Sequence, residues 1–366
     1  MSDLHVRPNV LKMTPYSPGK PIEEVKRELG LTRVIKLASN ENPLGPSPKA
    51  VAAIKEAADQ IHLYPDGSAF LLRQALSEHY SLPISQIIVG NGSDELIHLL
   101  GQIFLGSPED EVIVGYPSFV RYDASAGLAD CQLVRVPLTE DMRLDLAAMA
   151  AAVTDHTRLV FIANPNNPTG TIVTSDELDR FLAAISSDVV VVLDEAYFEF
   201  ADDTPGYPNS LDYINRYPNV VGMRTFSKTY GLAGIRVGYA FVSDTISDAI
   251  DRAREPFNVN LIGQVAAKAA LGDRDHLQKT VELNRQGLER MEKAFLELGA
   301  KPFKSYANFI MADLGQPARP VFQALLERGV ITRSGDVLGM PNCLRVSVGN
   351  AEEVQIFVEE LTKVLG

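Results

Sequence analysis

The chain has 366 residues, with 34 lysines and arginines against 47 aspartates and glutamates, so its formal net charge is −13. This charge disfavours binding to nucleic acid or anionic lipid, because an acidic surface repels their phosphate groups. A content of 46% hydrophobic and 22% charged residues is typical of a globular enzyme, and the length allows two domains. Two cysteines, Cys131 and Cys343, and six scattered histidines predict neither a disulfide framework nor a metal site.

No apolar stretch approaches the roughly 20 residues that span a bilayer, and the first residues lack the apolar core of a signal peptide. We therefore expect a cytoplasmic protein that binds neither membrane nor nucleic acid. Residues 1–33 form a proline-rich arm, in which a short helix is predicted over Ile22–Leu29 before Gly30. We expect this arm to pack on a smaller domain or on a partner subunit.

Alternating strands and helices begin near residue 86, after two predicted helices at 48–61 and 69–80. Seven apolar runs are predicted strands, at 87–89, 111–114, 133–136, 159–163, 189–193, 220–224 and 237–242. Helical patterns separate several of them, including a short one at 212–215. This order predicts an α/β fold in which residues 34–255 form a large domain, with a mostly parallel seven-stranded sheet flanked by helices. Residues 256–366 are predicted to form a smaller α+β domain.

Polar residues follow five of these strands, at the edge where ligands bind in open α/β sheets. Gly92, Ser93 and Asp94 open a helix, where free backbone N–H groups can bind a phosphate. This pattern is also typical of an ordinary helix cap, and it matches neither of the common nucleotide-binding glycine loops. The other four strands are followed by Tyr116, by the amide-rich loop 164–170, by Asp194 with Tyr197, and by the loop that contains Lys228.

Lys228 lies among hydroxyl-bearing residues and glycines. A lysine that attacks a carbonyl carbon must be partly neutral, and burial and neighbouring cations favour that state. Each of these residues, taken singly, is compatible with a surface loop or a core position, but together they predict a pyridoxal phosphate site. The assigned residues are Gly92, Ser93, Asp94, Ser227 and Arg236 for the phosphate, Tyr116 for stacking on the ring, Asn167 and Tyr197 for the phenolic oxygen, Asp194 for the ring nitrogen, and Lys228 for the covalent bond.

These motifs and their order resemble the class II aminotransferases of fold type I, and most closely the histidinol-phosphate aminotransferases. The matching segments lie at 15–19, 39–43, 64–67, 91–94, 116–117, 164–170, 194–197, 225–228, 234–239 and 344–349. The resemblance covers nearly the whole chain. It implies transamination of L-histidinol phosphate with 2-oxoglutarate, which gives imidazole-acetol phosphate and L-glutamate in histidine biosynthesis.

The resemblance also implies roles for individual residues, with Lys228, Asp194 and Tyr197 as the catalytic ones. Thr225 would bind the cofactor. Tyr64 would reach the cofactor phosphate of the neighbouring subunit, which implies a homodimer with active sites at its interface. The residues assigned to the substrate are Arg345 for its carboxylate, Arg333 for its phosphate, Tyr16 for closure over it, and Asn42 for a further contact.

Other functions are also compatible with the sequence. An aromatic amino-acid aminotransferase would share every cofactor residue and differ only in the residues that contact the substrate. A phosphothreonine-type decarboxylase or a β-lyase would have the same fold and cleave a different bond. A non-catalytic pyridoxal phosphate sensor would need a DNA-binding segment, and a nucleotide-binding module would need a phosphate-loop motif, neither of which is evident in the sequence.

Overall fold

The computed structural model describes residues 4–15 and 19–366. The α-helices, in chain order, are α1 Pro8–Lys12, α2 Ile22–Leu29, α3 Pro48–Ala57, α4 Phe70–Tyr80, α5 Ser93–Phe104, α6 Val120–Ala129, α7 Leu146–Ala151, α8 Ser175–Ala184, α9 Phe198–Ala201, α10 Asp244–Ala253, α11 Leu261–Leu271, α12 Arg274–Glu297, α13 Ala318–Glu327 and α14 Ala351–Leu365. The strands are β1 Ile35–Lys36, β2 Ile87–Gly90, β3 Glu111–Tyr116, β4 Gln132–Pro137, β5 Thr157–Ala163, β6 Val190–Asp194, β7 Val220–Thr225, β8 Gly238–Phe241, β9 Lys301–Pro302, β10 Phe309–Asp313, β11 Val330–Ile331, β12 Arg333–Ser334 and β13 Cys343–Ser347.

Seven strands form the central sheet, in the order β2-β8-β7-β6-β5-β3-β4. β8 runs antiparallel to both of its neighbours, and all other neighbouring strands are parallel. The predicted α/β fold with a mostly parallel seven-stranded sheet is therefore confirmed. Strands such as β6, whose five residues are all buried, suit this sheet because both of its faces are covered.

The two faces of the sheet pack in separate hydrophobic cores. Val191 and Leu193 of β6 lie in one core, and Val190 and Val192 lie in the other. Successive side chains of a strand point to opposite faces, so each strand contributes to both cores. Asp194 ends the same strand at the carboxyl edge of the sheet, where β2, β3 and β7 also end. The fold thus gathers the polar strand ends at one edge.

A smaller antiparallel sheet, in the order β12-β13-β10-β9, packs against α12, α13 and α14. This is the smaller α+β unit of the expected fold. β1 pairs in parallel with β11, and Ile35 of β1 lies in the hydrophobic core of this unit. Residues near 35 therefore contact the smaller unit, and the domain boundaries at 33/34 and 255/256 stay a prediction.

The N-terminal arm contacts both units. α1 begins with Pro8 at the first helical position, where the missing N–H has no intrahelical partner to lose. The Asn9 side chain donates hydrogen bonds to the carbonyls of Gly127 and Leu128, at the end of α6, at 2.9 and 3.2 Å. α2 has its predicted bounds, and its Val25 packs with residues of α13 and β11.

Two local predictions differ from the structure. The helix at 212–215 is wrong, since a single 3-10 turn occupies Ser210–Asp212, where the Asn209 side chain accepts a hydrogen bond from the Leu211 N–H. The helix at 48–61 ends at Ala57 and continues only as a 3-10 turn over Ala58–Gln60. In the part of the chain that the structure describes, no helix is both long enough and apolar enough to cross a membrane.

Candidate active site

Lys228 lies in the loop that follows β7, and its side chain is partly buried. Burial lowers its pKa to about 8, and the positive charges of Arg345 and Arg236 act in the same direction, whereas Glu41 and Asp94 oppose them. A larger share of this amine is therefore neutral near pH 7 than in an exposed lysine. A nucleophile or a general base requires that neutral form.

The backbone next to Lys228 is held from two sides. The Thr229 hydroxyl donates to the Glu199 carboxylate at 3.1 Å, and the Thr229 carbonyl accepts a hydrogen bond from Asn42 Nδ2 at 2.8 Å. Asn42 Nδ2 also donates to the Thr280 hydroxyl on α12 at 3.0 Å. Both amide hydrogens of Asn42 are thus bound within the protein. Asn42 therefore supports the lysine loop, and its expected contact with the substrate stays a prediction.

A guanidinium, a hydroxyl and a helix N-terminus meet beside the lysine loop. Gly92 precedes α5 with a φ of 78°, and a Cβ atom on it would lie 2.6 Å from Arg236 Nη2. Arg236 Nη1 lies 3.5 Å from Ser227 Oγ, and Arg236 Nη2 lies 3.7 Å from Asp94 Oδ2. Backbone N–H groups of the first helical turn and an arginine form a site for a phosphate. The structure thus brings together all five residues expected to bind it.

Thr225, the last residue of β7, is engaged within the turn that leads to Lys228. Its hydroxyl accepts a hydrogen bond from the Ser227 N–H at 3.1 Å and donates to the Val237 carbonyl at 3.4 Å. These contacts shape the loop that carries Ser227 and Lys228. They give Thr225 a role in orienting the phosphate site, and its direct cofactor contact stays a prediction.

Asp194 lies at the end of β6 and is buried. Burial raises the pKa of its carboxyl group to about 6, and hydrogen bonds from the Tyr122 hydroxyl at 2.7 Å and the Ala196 N–H at 3.2 Å oppose that rise. A buried carboxylate of this kind can accept a hydrogen bond from a protonated ring nitrogen. Sequence reasoning missed Tyr122, because the two residues lie 72 positions apart and no local pattern links them.

Tyr197 and Asn167 both contact residues outside the central sheet. The Tyr197 hydroxyl accepts a hydrogen bond from Asn40 Nδ2 at 2.9 Å, and Lys228 Nζ lies 5.7 Å from the centre of the Tyr197 ring. Asn167 Oδ1 accepts a hydrogen bond from Arg345 Nη1 at 2.6 Å. Tyr197 is therefore close to the lysine, and Asn167 is linked to the predicted substrate arginine.

Arg333 and Arg345 are direct cross-strand partners in the smaller sheet, on β12 and β13. Residues paired in this way lie on the same face, and like charges placed opposite each other are unfavourable without a counter-charge. Arg345 is buried and also donates to the Ala38 carbonyl at 2.9 Å. Arg345 is also close enough to Lys228 for its positive charge to lower the pKa of that amine.

Tyr116, the expected stacking aromatic, lies elsewhere. The residue is 44% exposed, and the Arg135 guanidinium lies 5.3 Å from the centre of its ring. Among the described residues, no hydrogen bond or ring contact joins it to Lys228 or Asp194. Phe119 instead packs edge-on against Tyr122, with ring centres 5.7 Å apart, and Tyr122 binds Asp194. Phe119, which packs on the hydrogen-bond partner of Asp194, is thus a second candidate for the stacking aromatic, and the role of Tyr116 stays a prediction.

Tyr64, which was predicted to reach the site of a neighbouring subunit, lies at the surface of the chain. Tyr64 is 84% exposed and stacks on Phe257, with ring centres 4.9 Å apart. This position leaves the Tyr64 hydroxyl available at the surface, as a contact to a neighbouring subunit would require. Tyr16 lies outside the described residues.

Residues 32–361 match the family model of aminotransferase class I and II. The chain belongs to this aminotransferase family. It is 48% identical over 360 residues to a histidinol-phosphate aminotransferase of Moorella thermoacetica, covering 98% of this chain and 92% of the relative. It is 47% identical to histidinol-phosphate aminotransferase 2 of Carboxydothermus hydrogenoformans, covering 98% and 99%. The structure of histidinol-phosphate aminotransferase from Sinorhizobium meliloti in complex with pyridoxal-5'-phosphate superposes with a TM-score of 0.91 at 29% identity, covering 100% of this chain and 98% of that one.

The membership confirms the family resemblance seen in the sequence, and the site of this aminotransferase fits pyridoxal phosphate. The position of Gly92 admits no side chain next to Arg236, so an anion can approach the start of α5. Asp194 offers a buried acceptor for a protonated ring nitrogen, and Lys228 offers an amine with a lowered pKa. A phosphate, a basic ring nitrogen and an aldehyde are the three groups that these residues suit.

Proposed function

We propose that this aminotransferase transfers the amino group of L-histidinol phosphate to 2-oxoglutarate, with pyridoxal phosphate as cofactor, and so forms imidazole-acetol phosphate and L-glutamate in histidine biosynthesis. The observation that carries the proposal is the pair of facing arginines, Arg333 and Arg345, of which Arg345 donates a hydrogen bond to Asn167 in the loop after β5. The names of the relatives that share 47 and 48% of its residues support the same substrate.

The bound cofactor would withdraw electrons from the substrate carbon that loses a proton. Lys228, once released by the incoming amine, would act as the general base that takes this proton. It would then deliver the proton to the carbon of the cofactor that carries the aldehyde in the free cofactor. Asp194 would keep the ring nitrogen protonated. Tyr197 and Asn167 would bind the phenolic oxygen, and Arg236 with the start of α5 would hold the phosphate.

The same pocket must accept both a phosphate ester and a dicarboxylate. A guanidinium donates paired, parallel hydrogen bonds to phosphate and carboxylate with similar geometry, so arginines suit both substrates. Arg345, held by Asn167 and the Ala38 carbonyl, would bind the α-carboxylate of glutamate. Arg333, opposite it, would bind the phosphate of histidinol phosphate or the second carboxylate of glutamate.

We propose that the enzyme is a cytoplasmic homodimer whose active sites lie at the subunit interface. Several large apolar side chains are exposed near Tyr64. Five of them lie between residues 61 and 71, and Phe257 stacks on Tyr64: Ile61, Leu63, Tyr64, Phe70, Leu71 and Phe257. Such a group of exposed apolar residues is typical of a protein interface. Tyr64 would extend from this surface to the cofactor phosphate of the partner. The arm 1–33, the large domain 34–255 and the smaller domain 256–366 are part of the same proposal.

The first half-reaction, in which an amine donates its amino group to the cofactor, tests which amine is the substrate. We would mix the holoenzyme with histidinol phosphate, or with phenylalanine, and follow the loss of visible absorbance of the lysine-bound cofactor. We expect rapid loss with histidinol phosphate at a far lower concentration. In Arg333→Gln the concentration of histidinol phosphate needed is expected to rise at least about tenfold, because the phosphate loses a charged partner, with little change for phenylalanine.

Arg328→Gln is the matched control, since Arg328 is a surface arginine of the same unit that pairs with Glu360 at 3.6 Å. A preference for phenylalanine would leave the cofactor site intact but make the enzyme an aromatic aminotransferase. No change with either amine would point to a decarboxylase or a lyase. An equal loss for both amines in Arg333→Gln would contradict the phosphate role of Arg333.

A further inference from the structure

The exposed side chain of Tyr64 stacks on Phe257, a residue that belongs to none of the sequence motifs. The two ring centres lie 4.9 Å apart, with an angle of 23° between the ring planes. Tyr64 is 84% exposed, so few contacts restrict its rotamers. A side chain that must be ordered on binding loses rotational entropy, and a contact that already favours one rotamer reduces this loss. Phe257 is in a position to do this for Tyr64.

The backbone of Phe257 has a conformation that is rare for an aromatic residue. Its φ is 59°, in the left-handed region where a bulky side chain is strained. The ring also reaches the turn after Tyr64, since a Cβ atom on Gly67 would lie 3.3 Å from Phe257 Cδ1. The phenyl ring therefore contacts both ends of the segment 64–67. Strain of this kind persists where the surrounding structure requires the conformation.

Polar contacts hold the backbone of the same turn. Arg254 Nη1 donates a hydrogen bond to the Gly67 carbonyl at 2.8 Å. Gln264 Nε2, on α11, donates to the Asp66 carbonyl at 2.9 Å. The backbone of the turn is thus held independently of the phenyl ring, and the ring acts on the orientation of the tyrosine side chain.

The next residue, Asn258, connects this segment to the phosphate site of its own chain. Asn258 Nδ2 donates to Glu95 Oε2 at 2.7 Å, and the same oxygen accepts the N–H of Asn91 at 2.6 Å. Glu95 lies in the first turn of α5. A change at Phe257 therefore has two routes to a phosphate site, one through Tyr64 to the neighbouring subunit and one through Asn258 to its own. The two routes affect different subunits, so an experiment can separate them.

We propose that Phe257 is a positioning residue that holds the Tyr64 side chain in the orientation in which its hydroxyl reaches the cofactor phosphate of the neighbouring subunit. The inference rests on the proposed homodimer and the proposed role of Tyr64, and it is independent of which amine is the substrate. Each chain would thus orient the residue that it supplies to its partner. Stacked aromatic pairs are modestly stabilising, so loss of the phenyl ring should weaken cofactor binding about threefold to tenfold.

The experiment is a titration of the full-length apoprotein with pyridoxal phosphate, followed by the visible absorbance of the lysine-bound cofactor in the absence of substrate. Phe257→Ala removes the ring but keeps the same backbone demand, and its dissociation constant should rise about threefold to tenfold. Phe257→Tyr keeps the ring and should restore the affinity. Leu296→Ala, at a 59% exposed position of α12, controls for loss of an exposed apolar side chain and should leave the dissociation constant unchanged.

A further pair of variants tests whether the effect passes through the Tyr64 hydroxyl. Tyr64→Phe keeps the stacked ring and removes the donor, so its dissociation constant should rise by at least as much as that of Phe257→Ala. In the Tyr64→Phe background, Phe257→Ala should cause no further rise. All titrations are made at protein concentrations at which sedimentation shows the variant to be a dimer.

Two hybrid dimers, isolated with a different affinity tag on each chain, decide which subunit is affected. In both, one chain carries Lys228→Ala, so only the site with the other chain's lysine gives the visible absorbance. In the first hybrid the chain with the intact lysine carries Phe257→Ala, and in the second the Lys228→Ala chain carries it. The Tyr64 that reaches the observed site belongs to the Lys228→Ala chain. We therefore expect full affinity in the first hybrid and weakened affinity in the second, although both contain the same substitutions.

Weakened affinity in the first hybrid would assign the effect to the chain's own site, through Asn258, and would overturn the proposal. An unchanged dissociation constant in Phe257→Ala, or an equal rise with and without the Tyr64 hydroxyl, would also overturn it. If Phe257→Ala does not fold, Phe257→Asn replaces it, because asparagine tolerates a positive φ and lacks the phenyl ring. A monomeric unsubstituted protein would contradict the dimer and this inference with it. Failure of the histidinol phosphate reaction leaves the titration unaffected, because no amine is added.

Discussion

The reactive groups of the site depend on residues from other parts of the chain. Lys228 has a pKa of about 8 because it is buried and because Arg345, on another sheet, adds a positive charge. Asp194 is buried, and Tyr122 supplies the hydrogen bond that favours its charged form. Behind the lysine, Glu199 accepts the Thr229 hydroxyl. Each reactive side chain is thus adjusted by a partner from a distant part of the chain.

The Glu199 carboxyl group should make folding stability depend on pH. Burial raises its pKa to about 7, while the positive charge of Arg224 opposes the rise. A pKa raised on folding means that the stabilisation is complete below the unfolded value and is lost as the pH rises through about 7. We expect Glu199→Gln, which cannot ionise, to gain about 1 kcal/mol in unfolding free energy relative to the unsubstituted protein between pH 6 and pH 8.

Urea unfolding at the two pH values measures this difference, and Glu292→Gln, at an exposed position of α12, is the control. Asp194 also titrates near this range, but it does so in both proteins and cancels in the comparison. Parallel pH dependence of the unsubstituted protein and Glu199→Gln would show that Glu199 is already charged at pH 6.

The two aromatic residues near the end of β3 should differ in their effect on cofactor binding. Phe119 packs on Tyr122 beside Asp194, whereas Tyr116 lies at the surface under Arg135. We expect Phe119→Ala to weaken pyridoxal phosphate binding by about tenfold through loss of ring contact, and Tyr116→Ala to weaken it much less. Fluorescence titration of the apoprotein with the cofactor compares them. A larger loss for Tyr116→Ala would restore Tyr116 as the stacking residue.

The candidate phosphate site forms where β2, β7 and β8 pack against the start of α5. β8 is the one strand of the central sheet that runs antiparallel, and it lies between β2 and β7. Its first residue, Gly238, pairs with Gly90 of β2 and with Thr225 of β7. A Cβ atom on Gly238 would lie 2.4 Å from the Ser93 backbone nitrogen. The start of α5 can therefore approach the lysine loop only because this position has no side chain.

Gly238→Ala should separate α5 from the lysine loop. The methyl group would clash with backbone, which moves less readily than a side chain, so we expect cofactor affinity to fall at least about tenfold. Gly234→Ala is the matched control in the same segment, because its Cβ would meet no atom within 4 Å. Both variants are compared by cofactor titration and thermal melting. Equal affinity in the two variants would mean that α5 tolerates the shift.

At the scale of the whole molecule, the site lies where the two units meet. Arg345 of the smaller sheet binds Asn167, which follows β5 of the central sheet, and the carbonyl of Ala38. Asn42, in the segment between β1 and α3, joins α12 of the smaller unit to the lysine loop. A movement of the smaller unit would therefore change the positions of both the substrate arginine and the lysine loop.

Hybrid dimers test whether Tyr64 completes the site of a neighbouring subunit. Lys228→Ala and Tyr64→Ala should each be nearly inactive as pure proteins. If they are unfolded together and refolded as a mixture, half of the dimers carry one of each chain, and each such dimer has one intact site. We expect recovery of about a quarter of the unsubstituted activity, measured by the rate of glutamate formation. Activity no higher than the sum of the pure variants would contradict a shared site.

The amino-acid sequence by itself determined the sheet and the set of candidate reactive residues. The positions of the seven strands follow from runs of apolar residues, which depend only on local periodicity. Asp194 stands out because it directly follows such a run, and Lys228 because it lies in the short loop after another. Only the tertiary structure decided which residues support them. Tyr122 meets Asp194 across 72 positions, Asn40 meets Tyr197 across 157, and Arg345 meets Asn167 across 178. A hydrogen bond between such distant residues leaves no periodic pattern in the sequence, because the packing of whole elements brings its partners together.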